Sequence, residues 1–236
     1  MNSSLRKAIA QICPPIVWNA LRKIKDGTTE GPQGPFLEGK PQEQDLDIYW
    51  SNEMSQALET WGAGNVWHEI TFLLANRRGR VLDIACGTGK TIEVNSQLPG
   101  IELHGCDISD FLIQKAIDRG IDASRLKVSD ATNMDYAENS FDYSYSIGSL
   151  EHFTEEGIAK FVLECYRITR ITSFHMVPVS RSGSDEGWMK TEQSFFNNSV
   201  DWWLAKFKGS YQNVTALDSL WHDPYSVGKW FVCAKN

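Results

Sequence analysis

The sequence lacks several features that would assign it to a simple class. No apolar run approaches the roughly 20 residues that a membrane-spanning helix requires. The five cysteines include no Cys-x-x-Cys pair, which favours free thiols in a reducing compartment over a zinc site or a disulfide framework. Basic charge is also scarce, because 23 Lys and Arg stand against 30 Asp and Glu. A nucleic-acid partner is therefore not expected.

The first 25 residues depart from this acidic balance. They carry five basic side chains and no acid, and their apolar residues recur at helical spacing on both sides of Pro14-Pro15, which also interrupts any signal-peptide core. Such a stretch can lie on an anionic membrane as a peripheral contact or pack on its own domain. We expect a cytoplasmic protein with this segment and a Gly/Pro-rich linker over residues 1–45, followed by one domain over 46–236.

Residues 80–90, RVLDIACGTGK, join a short apolar run to a glycine-rich turn. A buried strand that runs into such a turn and then a helix presents backbone N–H groups to a ligand. Gly87 and Gly89 let the chain turn sharply and leave no Cβ in the way of that ligand. Asp83 is a carboxylate near the end of the strand, and burial of a carboxylate is costly unless it is hydrogen-bonded or faces a ligand. We interpret Asp83 as facing a ligand.

Three nucleotide-site patterns compete for this turn. A dinucleotide fingerprint needs a third glycine where this chain has Ile92, and a Walker P-loop needs its first glycine where this chain has Ile84. The third pattern is the first motif of the class I S-adenosylmethionine (SAM) methyltransferases, D/E-x-G-x-G-x-G. Residues 83–89 resemble that motif, with Ala85 in place of its first glycine.

Strand and helix patterns alternate after the turn. Strands are predicted at 81–84, 101–106, 126–128, 141–147 and 171–179, and helices at 110–119 and 154–168. This alternation predicts an α/β fold with a mostly parallel, doubly wound sheet, whose ligands bind at the carboxyl ends of the strands. Asp83, Asp107 and Asp130 all fall at or near such ends.

The positions of the second and third acids suggest what they bind. An acid at the tip of the second strand, such as Asp107, can accept both hydroxyls of a ribose. An acid at the tip of the third strand, such as Asp130, can accept a hydrogen bond from an adenine amino group. Nicotinamide enzymes share Asp83 and Asp107, whereas Asp130 with Phe141-Asp142 opening the next strand favours SAM.

Residues 80–152 together resemble the class I SAM-dependent methyltransferases, in particular the methyltransferase type 11 group. The matching pieces are VLDIACGTG, GCDIS and VSDATNMDYAENSFDYSYSIGSLEHF. The resemblance implies a Rossmann-like seven-stranded sheet in the order 3-2-1-4-5-7-6 with strand 7 antiparallel, and residues 214–217 and 229–234 would supply its last two strands. The family often has Lys-Pro-Gly-Gly before its fifth strand, where this chain has Arg-Ile-Thr-Arg at 167–170, so the start of that strand stays open.

The same resemblance implies the cofactor SAM, its product S-adenosylhomocysteine, and ten cofactor-binding residues. They are Asp83, Ala85, Gly87, Gly89, Asp107, Ile108, Asp130, Ala131, Ile147 and Ser149. Asp83 would lie near the ammonium group, the glycines near the methionine part, Asp107 at the ribose, and Asp130 with Ala131 at the adenine edge. Ile108 would pack on the adenine face, and Ile147 or Ser149 would close the methionine side.

Methyl transfer from a sulfonium mainly requires alignment of the nucleophile and exclusion of water. A base is needed only if the acceptor arrives protonated, as an alcohol does. His152 and His175 are the candidate catalytic residues, although His175 can equally be a packed core histidine, and Glu151 with His152 can simply begin a helix. No motif indicates a metal. An Asp-Pro-Pro-Tyr motif for amino methylation of DNA bases is absent, since Ser146-Ile147-Gly148-Ser149 stands there.

Residues 180–210 are expected to hold the acceptor, because they follow the fifth strand as a polar loop and then a tryptophan-rich stretch. That stretch resembles a helix found in methyltransferases of polysaccharide gene clusters, and aromatic rings stack on sugars, although the same residues also suit an amphipathic helix covering the sheet. The predicted reaction is O-methylation of a small molecule or a glycan hydroxyl. A Rossmann-type NAD-dependent oxidoreductase and a non-catalytic SAM-binding partner protein are the alternatives.

Overall fold

The computed structural model describes residues 44–191 and 193–235. The basic stretch at residues 1–25 and nearly all of the Gly/Pro-rich linker lie outside the described residues, so the predicted boundary near residue 45 stays a prediction. No helix within the described ranges is long and apolar enough to cross a membrane.

The described residues form nine strands, seven of them in one sheet. They are β1 (Gly79–Ile84), β2 (Ile101–Asp107), β3 (Leu126–Val128), β4 (Phe141–Ile147), β5 (Thr169–Ser180), β6 (Trp188–Met189), β7 (Phe195–Phe196), β8 (Asn213–His222) and β9 (Ser226–Ala234). The sheet order is β3-β2-β1-β4-β5-β9-β8, and β6 pairs only with β7. Strand β9 runs antiparallel to both β5 and β8, whereas the pairs from β3 to β5 are parallel. The predicted order with an antiparallel seventh strand is confirmed, since β8 and β9 are the sixth and seventh strands of the sheet along the chain.

Six α-helices and three short 3-10 helices connect these strands in the described part of the chain. The α-helices are α1 (Asn52–Ala57), α2 (Val66–Leu74), α3 (Lys90–Asn95), α4 (Asp110–Asp118), α5 (Glu155–Ile168) and α6 (Val200–Lys208), and the 3-10 helices are Asp47–Trp50, Ala123–Arg125 and Leu150–His152. Side-chain oxygens of Ser51, Ser109, Thr154 and Ser199 accept hydrogen bonds from the first turns of α1, α4, α5 and α6. These N-caps explain why the four helices begin where they do.

The core lies in two layers, one on each face of the sheet. One layer includes Phe161 of α5 with Trp203 and Phe207 of α6. The other includes Ile70 of α2 with Trp230 of β9. Of the three aromatic residues of α6, Trp203 and Phe207 are fully buried and Trp202 is partly buried, so the tryptophan-rich stretch forms an amphipathic helix that covers the sheet.

Two segments cover the carboxyl edge of the sheet. The first runs from residue 44 through α1, and the second is the β6–β7 hairpin. They are tied together because Asp45 accepts a hydrogen bond from the Ser194 N–H at 2.9 Å and Gln193 Nε2 donates to Tyr49 Oη at 2.8 Å. The first segment is also fixed to the sheet, since Ser109 Oγ donates to the Tyr49 carbonyl at 2.8 Å. We call these two segments the cover.

On the opposite flank, Glu69 of α2 holds the last two strands in place. Its Oε2 accepts hydrogen bonds from Ser219 Oγ at 2.7 Å and from Trp230 Nε1 at 2.6 Å, and its Oε1 accepts one from the Leu220 N–H at 2.6 Å. One carboxylate therefore satisfies three donors on β8 and β9, including an indole N–H that is nearly inaccessible to water.

We expect Glu69→Ala to lower the free energy of unfolding by about 2–3 kcal/mol, because it leaves buried donors without a partner. Urea denaturation followed by tryptophan fluorescence measures the change. Glu53→Ala, at an exposed position of α1, is the matched control and should change stability by less than about 0.5 kcal/mol. Equal effects of the two substitutions would contradict this role for Glu69.

Candidate active site

A cavity of about 400 Å³ opens at the carboxyl edge of the sheet, beneath the cover. Its lining includes eight of the ten predicted cofactor-binding residues, namely Ala85, Gly87, Asp107, Ile108, Asp130, Ala131, Ile147 and Ser149. A smaller recess of about 40 Å³ shares the walls at Ala85, Gly87 and Ile147 and is lined by Asp83 as well. Only Gly89 of the predicted set lines neither space.

The turn after β1 has a left-handed backbone conformation that is energetically unfavourable for residues other than glycine. Ala85, Gly87 and Gly89 have φ values of 59°, 54° and 72°. Glycine reaches this left-handed region freely, whereas an alanine there brings its Cβ too close to the neighbouring backbone. Ala85 therefore keeps the turn that the family motif builds with glycine, and it stores strain at the edge of the cavity.

The two glycines of the turn have different neighbours. A Cβ on Gly87 would lie 3.0 Å from Leu58 Cδ1, a residue of the cover that also lines the cavity. A Cβ on Gly89 would lie 2.4 Å from Ile121 Cδ1 and 3.0 Å from Ala116 Cβ. Gly87 thus makes room at the cavity wall, and Gly89 lets the turn pack closely against α4.

Asp83 is a buried carboxyl group with one oxygen that lacks a hydrogen-bond partner. It is 3% exposed, and its Oδ2 has no hydrogen-bond partner. Tyr145 lies beside Asp83 on the neighbouring strand β4. Its hydroxyl is close enough to lower the pKa of Asp83 somewhat, but it does not meet the geometric criteria of a hydrogen bond. Burial raises the pKa of Asp83 well above its usual range. The group is arranged to meet a positively charged or donating ligand in the recess.

Asp107 joins the ends of two strands at the cavity wall. Its Oδ2 accepts a hydrogen bond from the Gly87 N–H at 2.8 Å, and its Oδ1 accepts one from the Ser109 N–H at 2.9 Å. Burial raises the pKa of Asp107, and the backbone N–H groups counteract part of that rise. Each carboxylate oxygen can accept more than one hydrogen bond, so both can still receive donors from a ligand in the cavity.

Asp130 and Ala131 form the outer wall. Asp130 is exposed, and its Oδ1 accepts hydrogen bonds at 2.8 Å from both the Thr132 N–H and the Thr132 hydroxyl. This is the turn-forming arrangement of an aspartate after a strand. The side chain nevertheless borders the cavity, together with the buried Ala131.

Glu151 and His152 follow β4 in a 3-10 helix, and both line the cavity. Glu151 is 4% exposed, its Oε2 has no partner, and burial raises its pKa to about 8. His152 Nδ1 lies 2.9 Å from the Ser194 carbonyl, and burial lowers its pKa to about 4. A carbonyl oxygen only accepts, so the proton of the neutral imidazole is on Nδ1 and the lone pair is on Nε2. Nε2 lies 3.6 Å from Glu151 Oε1.

His175, the other predicted catalytic histidine, lies in the core and outside the cavity lining. Its Nδ1 hydrogen-bonds with Ser146 Oγ at 2.9 Å, and its ring stacks on Phe207 with centroids 5.1 Å apart. Burial lowers its pKa to about 3, so the ring is neutral. This placement favours the interpretation as a packed core histidine.

The region predicted to hold the acceptor contributes little to the cavity. Gln193 and Phe195 are its only described residues in the lining. The remaining aromatic residues pack on one another, since Phe196 contacts Trp202 and Trp202 contacts Trp203. The lining also includes residues that sequence patterns did not single out as site residues, namely Tyr49, Trp61, Met176, Pro178, Trp221 and Asp223. No local signal marks most of them, because they reach the cavity only through long-range packing.

No group of three or more His, Cys, Asp and Glu in the described ranges is arranged to hold a metal ion. The four described cysteines are buried free thiols.

The sheet order is that of the Rossmann-like methyltransferase fold. A family model described as a methyltransferase domain matches residues 81–171. The solved structure of the 1,6-didemethyltoxoflavin-N1-methyltransferase of Burkholderia thailandensis, with S-adenosylhomocysteine bound, superposes with a TM-score of 0.64 over 89% of this chain and 98% of that one, at 13% identity. The similarity to a methyltransferase domain therefore covers 91 of the 236 residues, and the solved structure shows a likeness of fold.

Two curated relatives show how widely acceptors vary among similar sequences. The tRNA (carboxymethyluridine(34)-5-O)-methyltransferase of Arabidopsis thaliana is 35% identical over 100 residues, which is 42% of this chain and 23% of that protein. The O-methyltransferase resE of Aspergillus sclerotiorum is 27% identical over 117 residues, which is 47% of this chain and 44% of that protein. This chain thus spans less than half the length of either relative. The tRNA-modifying relative conflicts with the expectation that nucleic acid is not a partner.

The strain at Ala85 leads to a stability prediction. Ala85→Gly should raise the free energy of unfolding by up to about 1 kcal/mol, because glycine adopts the left-handed backbone without its Cβ penalty. Ala85→Val should lower it by more than about 1 kcal/mol, since a β-branched residue is poorly tolerated there. Urea denaturation measures both changes.

Ala159→Gly, at an exposed position of α5, is the control for this pair. Glycine inside a helix costs roughly 0.5–1 kcal/mol, so the same substitution should have the opposite sign there. If Ala85→Gly destabilised the protein as much as Ala159→Gly does, the turn would hold no such strain.

Proposed function

We propose that this protein transfers the methyl group of SAM to a hydroxyl group of a small, uncharged acceptor, a sugar or another hydroxylated molecule. The observation that carries the cofactor assignment is the unpartnered, buried Oδ2 of Asp83 at the recess of the cavity. A buried carboxyl group of this kind is costly to keep unpaired, and the ammonium group of the methionine part would satisfy it.

The other walls of the cavity fit the same ligand. Gly87 leaves space for the methionine backbone, and Asp107 presents two carboxylate oxygens to the ribose hydroxyls. Asp130 and Ala131 border the space for the adenine edge, and Ile108 supplies an apolar surface for its ring face. These assignments rest on the family motif together with the position of each residue around one cavity.

SAM, when bound, supplies a methyl group on a sulfonium whose departure leaves a neutral thioether. The protein must then align an acceptor atom with that methyl group and keep water out. The cover performs the second task, because Tyr49 and Gln193 hydrogen-bond across the top of the cavity. At the acceptor end, His152 Nε2 can accept a hydrogen bond from an acceptor hydroxyl, although a group with a pKa of about 4 is a weak base at neutral pH.

The charges in the lining favour an uncharged acceptor over a polyanion. Five carboxyl groups border the cavity, those of Asp107, Asp130, Glu151, Glu156 and Asp223. The single lysine or arginine of this lining is Lys160, which is paired with Glu156 at 2.7 Å. Phosphate groups would be repelled by this surface. A tRNA acceptor, suggested by the curated relatives, is therefore the second candidate.

Calorimetric titration with SAM, S-adenosylhomocysteine, NAD and ATP tests the cofactor. We expect binding of the first two and none of NAD or ATP. Asp107→Ala should weaken binding by about 1.5–3 kcal/mol, because it removes hydrogen bonds between a charged group and the ribose. Asp135→Ala, at an exposed position outside the cavity, is the matched control and should leave affinity unchanged.

Two outcomes would contradict the cofactor assignment. Binding of NAD alone would favour the oxidoreductase alternative. Unchanged SAM affinity in a folded Asp107→Ala variant would remove Asp107 from the ribose site. If SAM binds but no acceptor is ever methylated, the non-catalytic SAM-binding alternative becomes the better description.

Incubation with SAM labelled in its methyl group tests the acceptor. The probes are bulk tRNA and, separately, a panel of hydroxylated sugars and phenols. We expect label in the small-molecule reactions and none in the tRNA. Nuclease-sensitive label in the tRNA reaction would instead establish the second candidate, and an Asp107→Ala sample controls for label that arises without the enzyme site.

A further inference from the structure

Glu151 is the one carboxyl group in the described lining of the larger cavity that is buried and has an oxygen without a hydrogen-bond partner. Its Oε2 has no partner, and its Oε1 lies 3.6 Å from His152 Nε2, beyond ordinary hydrogen-bond distance. A Cβ added at Gly148 would lie 3.7 Å from the same Oε1. Glu151 is therefore adjacent to the residues 147–149 that border the methionine side of the cavity.

The groups around Glu151 provide no positive charge. His152 is neutral because burial lowers its pKa to about 4. Tyr49, from the cover, is half-buried and interacts electrostatically with Glu151, and a tyrosine side chain can be neutral or negative but never positive. The other titratable groups of the cavity and the recess are Asp83, Cys86, Lys90, Asp107, Asp130, Glu156, Lys160 and Asp223. Both lysines are paired with carboxylates, Lys90 with Glu93 at 2.5 Å and Lys160 with Glu156 at 2.7 Å. No lysine or arginine among the described residues forms an ion pair with Glu151.

A carboxyl group in this position avoids its desolvation cost by keeping its proton. The pKa of Glu151, raised by burial to about 8, means that the group is mostly neutral at pH 7. A cation placed in the same cavity would reverse this preference, because an opposite charge nearby favours the carboxylate.

We propose that Glu151 senses the charge of the cofactor: it is neutral in the free protein, releases its proton when a sulfonium cation occupies the cavity, and takes up the acceptor proton during methyl transfer. This inference rests on the proposed function, because it requires SAM and a hydroxyl acceptor in this cavity. It names Glu151, and not His152, as the catalytic residue that receives the proton.

The step is balanced in atoms and charge. The acceptor oxygen forms a bond to the methyl carbon, and the methyl–sulfur bond breaks with its electron pair left on sulfur. The acceptor O–H bond breaks, and its proton passes to the Glu151 carboxylate. One positive and one negative charge disappear together, so Glu151 returns to the neutral form that suits a cavity holding the uncharged thioether. No oxidant, reductant or metal is required.

The sign of the linked pH dependence follows from this description. Glu151 has a lower pKa with SAM bound than in the free protein, so SAM affinity rises with pH up to about 8 and is constant above it. The slope is at most about tenfold per pH unit. S-adenosylhomocysteine has no sulfonium, so its affinity should lack this slope.

Asp83 would respond differently. Its pKa is also raised by burial, but both ligands carry the ammonium group that it would face. Any proton that Asp83 releases should therefore appear with SAM and with S-adenosylhomocysteine alike. The difference between the number of protons released with SAM and with S-adenosylhomocysteine therefore reports on Glu151 alone.

The experiment is calorimetry at pH 7 in two buffers of different ionisation enthalpy, which counts the protons released on binding. We expect wild-type protein to release close to one more proton with SAM than with S-adenosylhomocysteine. In Glu151→Gln, which keeps the shape of the side chain but cannot titrate, this difference should vanish. The ligands' own ammonium groups titrate in the same way in both proteins, so the variant corrects for them.

Two further variants serve as controls. Glu156→Gln removes an exposed carboxylate at the rim of the same cavity, and the extra proton should remain because this group is already ionised at pH 7. His152→Gln should also retain it, since His152 is neutral before the ligand binds. Loss of the extra proton in His152→Gln but not in Glu151→Gln would overturn the assignment.

The result separates this inference from the proposed function. If SAM does not bind, the proposed function fails. If SAM binds and the extra proton is absent from wild-type protein, only the role of Glu151 fails. Should Glu151→Gln not fold, the ratio of SAM to S-adenosylhomocysteine affinity in wild-type protein still decides: it should rise several-fold between pH 6 and pH 8, and a constant ratio would overturn the inference.

Discussion

The hydrogen bonds of the Asp107 carboxylate are the constraint on which the site depends. One oxygen binds the N–H of Gly87 in the turn after β1, and the other binds the N–H of Ser109 before α4. A single side chain thereby fixes the ends of two adjacent strands and the start of a helix relative to each other. The left-handed backbone of the turn, including the strained Ala85, is held in place by this arrangement and by the close packing of Gly89 against α4. A ligand that hydrogen-bonds to Asp107 is consequently positioned against the turn without any further adjustment.

Two buried acids, Asp83 in the recess and Glu151 in the larger cavity, give this edge of the sheet an unusual electrostatic state. Asp83 and Glu151 each have an oxygen without a partner, and burial raises the pKa of both. Protonation removes the cost of burying these charges while the cavity holds no cation. A ligand with one positive group near each acid would complement both at once. Such a ligand would be favoured by its charge distribution as well as by its shape.

Much of the fold could be predicted from the sequence because its signals are local. Short apolar runs marked β1, β2 and β4 to within two residues, and Ser109 marked the start of α4. The start of β5 was not predictable, because α5 passes into β5 at Thr169 without the expected Pro-Gly turn. The cover was not predictable either. Tyr49 and Gln193 meet only through tertiary packing and carry no shared pattern. For the same reason, a polar residue on a buried strand, such as His175, could not be assigned to the core or the cavity from its position alone.

The cover also bears on which acceptors can reach the cavity. Its two segments are joined by hydrogen bonds between Asp45 and Ser194 and between Tyr49 and Gln193, and the latter two residues line the cavity. Under the proposed function, an acceptor passes between these segments or breaks their hydrogen bonds. A small hydroxylated molecule can do the former, whereas a nucleotide within a tRNA would need the cover to open and its phosphates to approach several carboxylates. The size of the opening and the charge of the lining thus both favour the proposed small, uncharged acceptor over a tRNA. The similarity to tRNA-modifying relatives extends over less than half of this chain, so the residues that choose the acceptor need not follow those relatives.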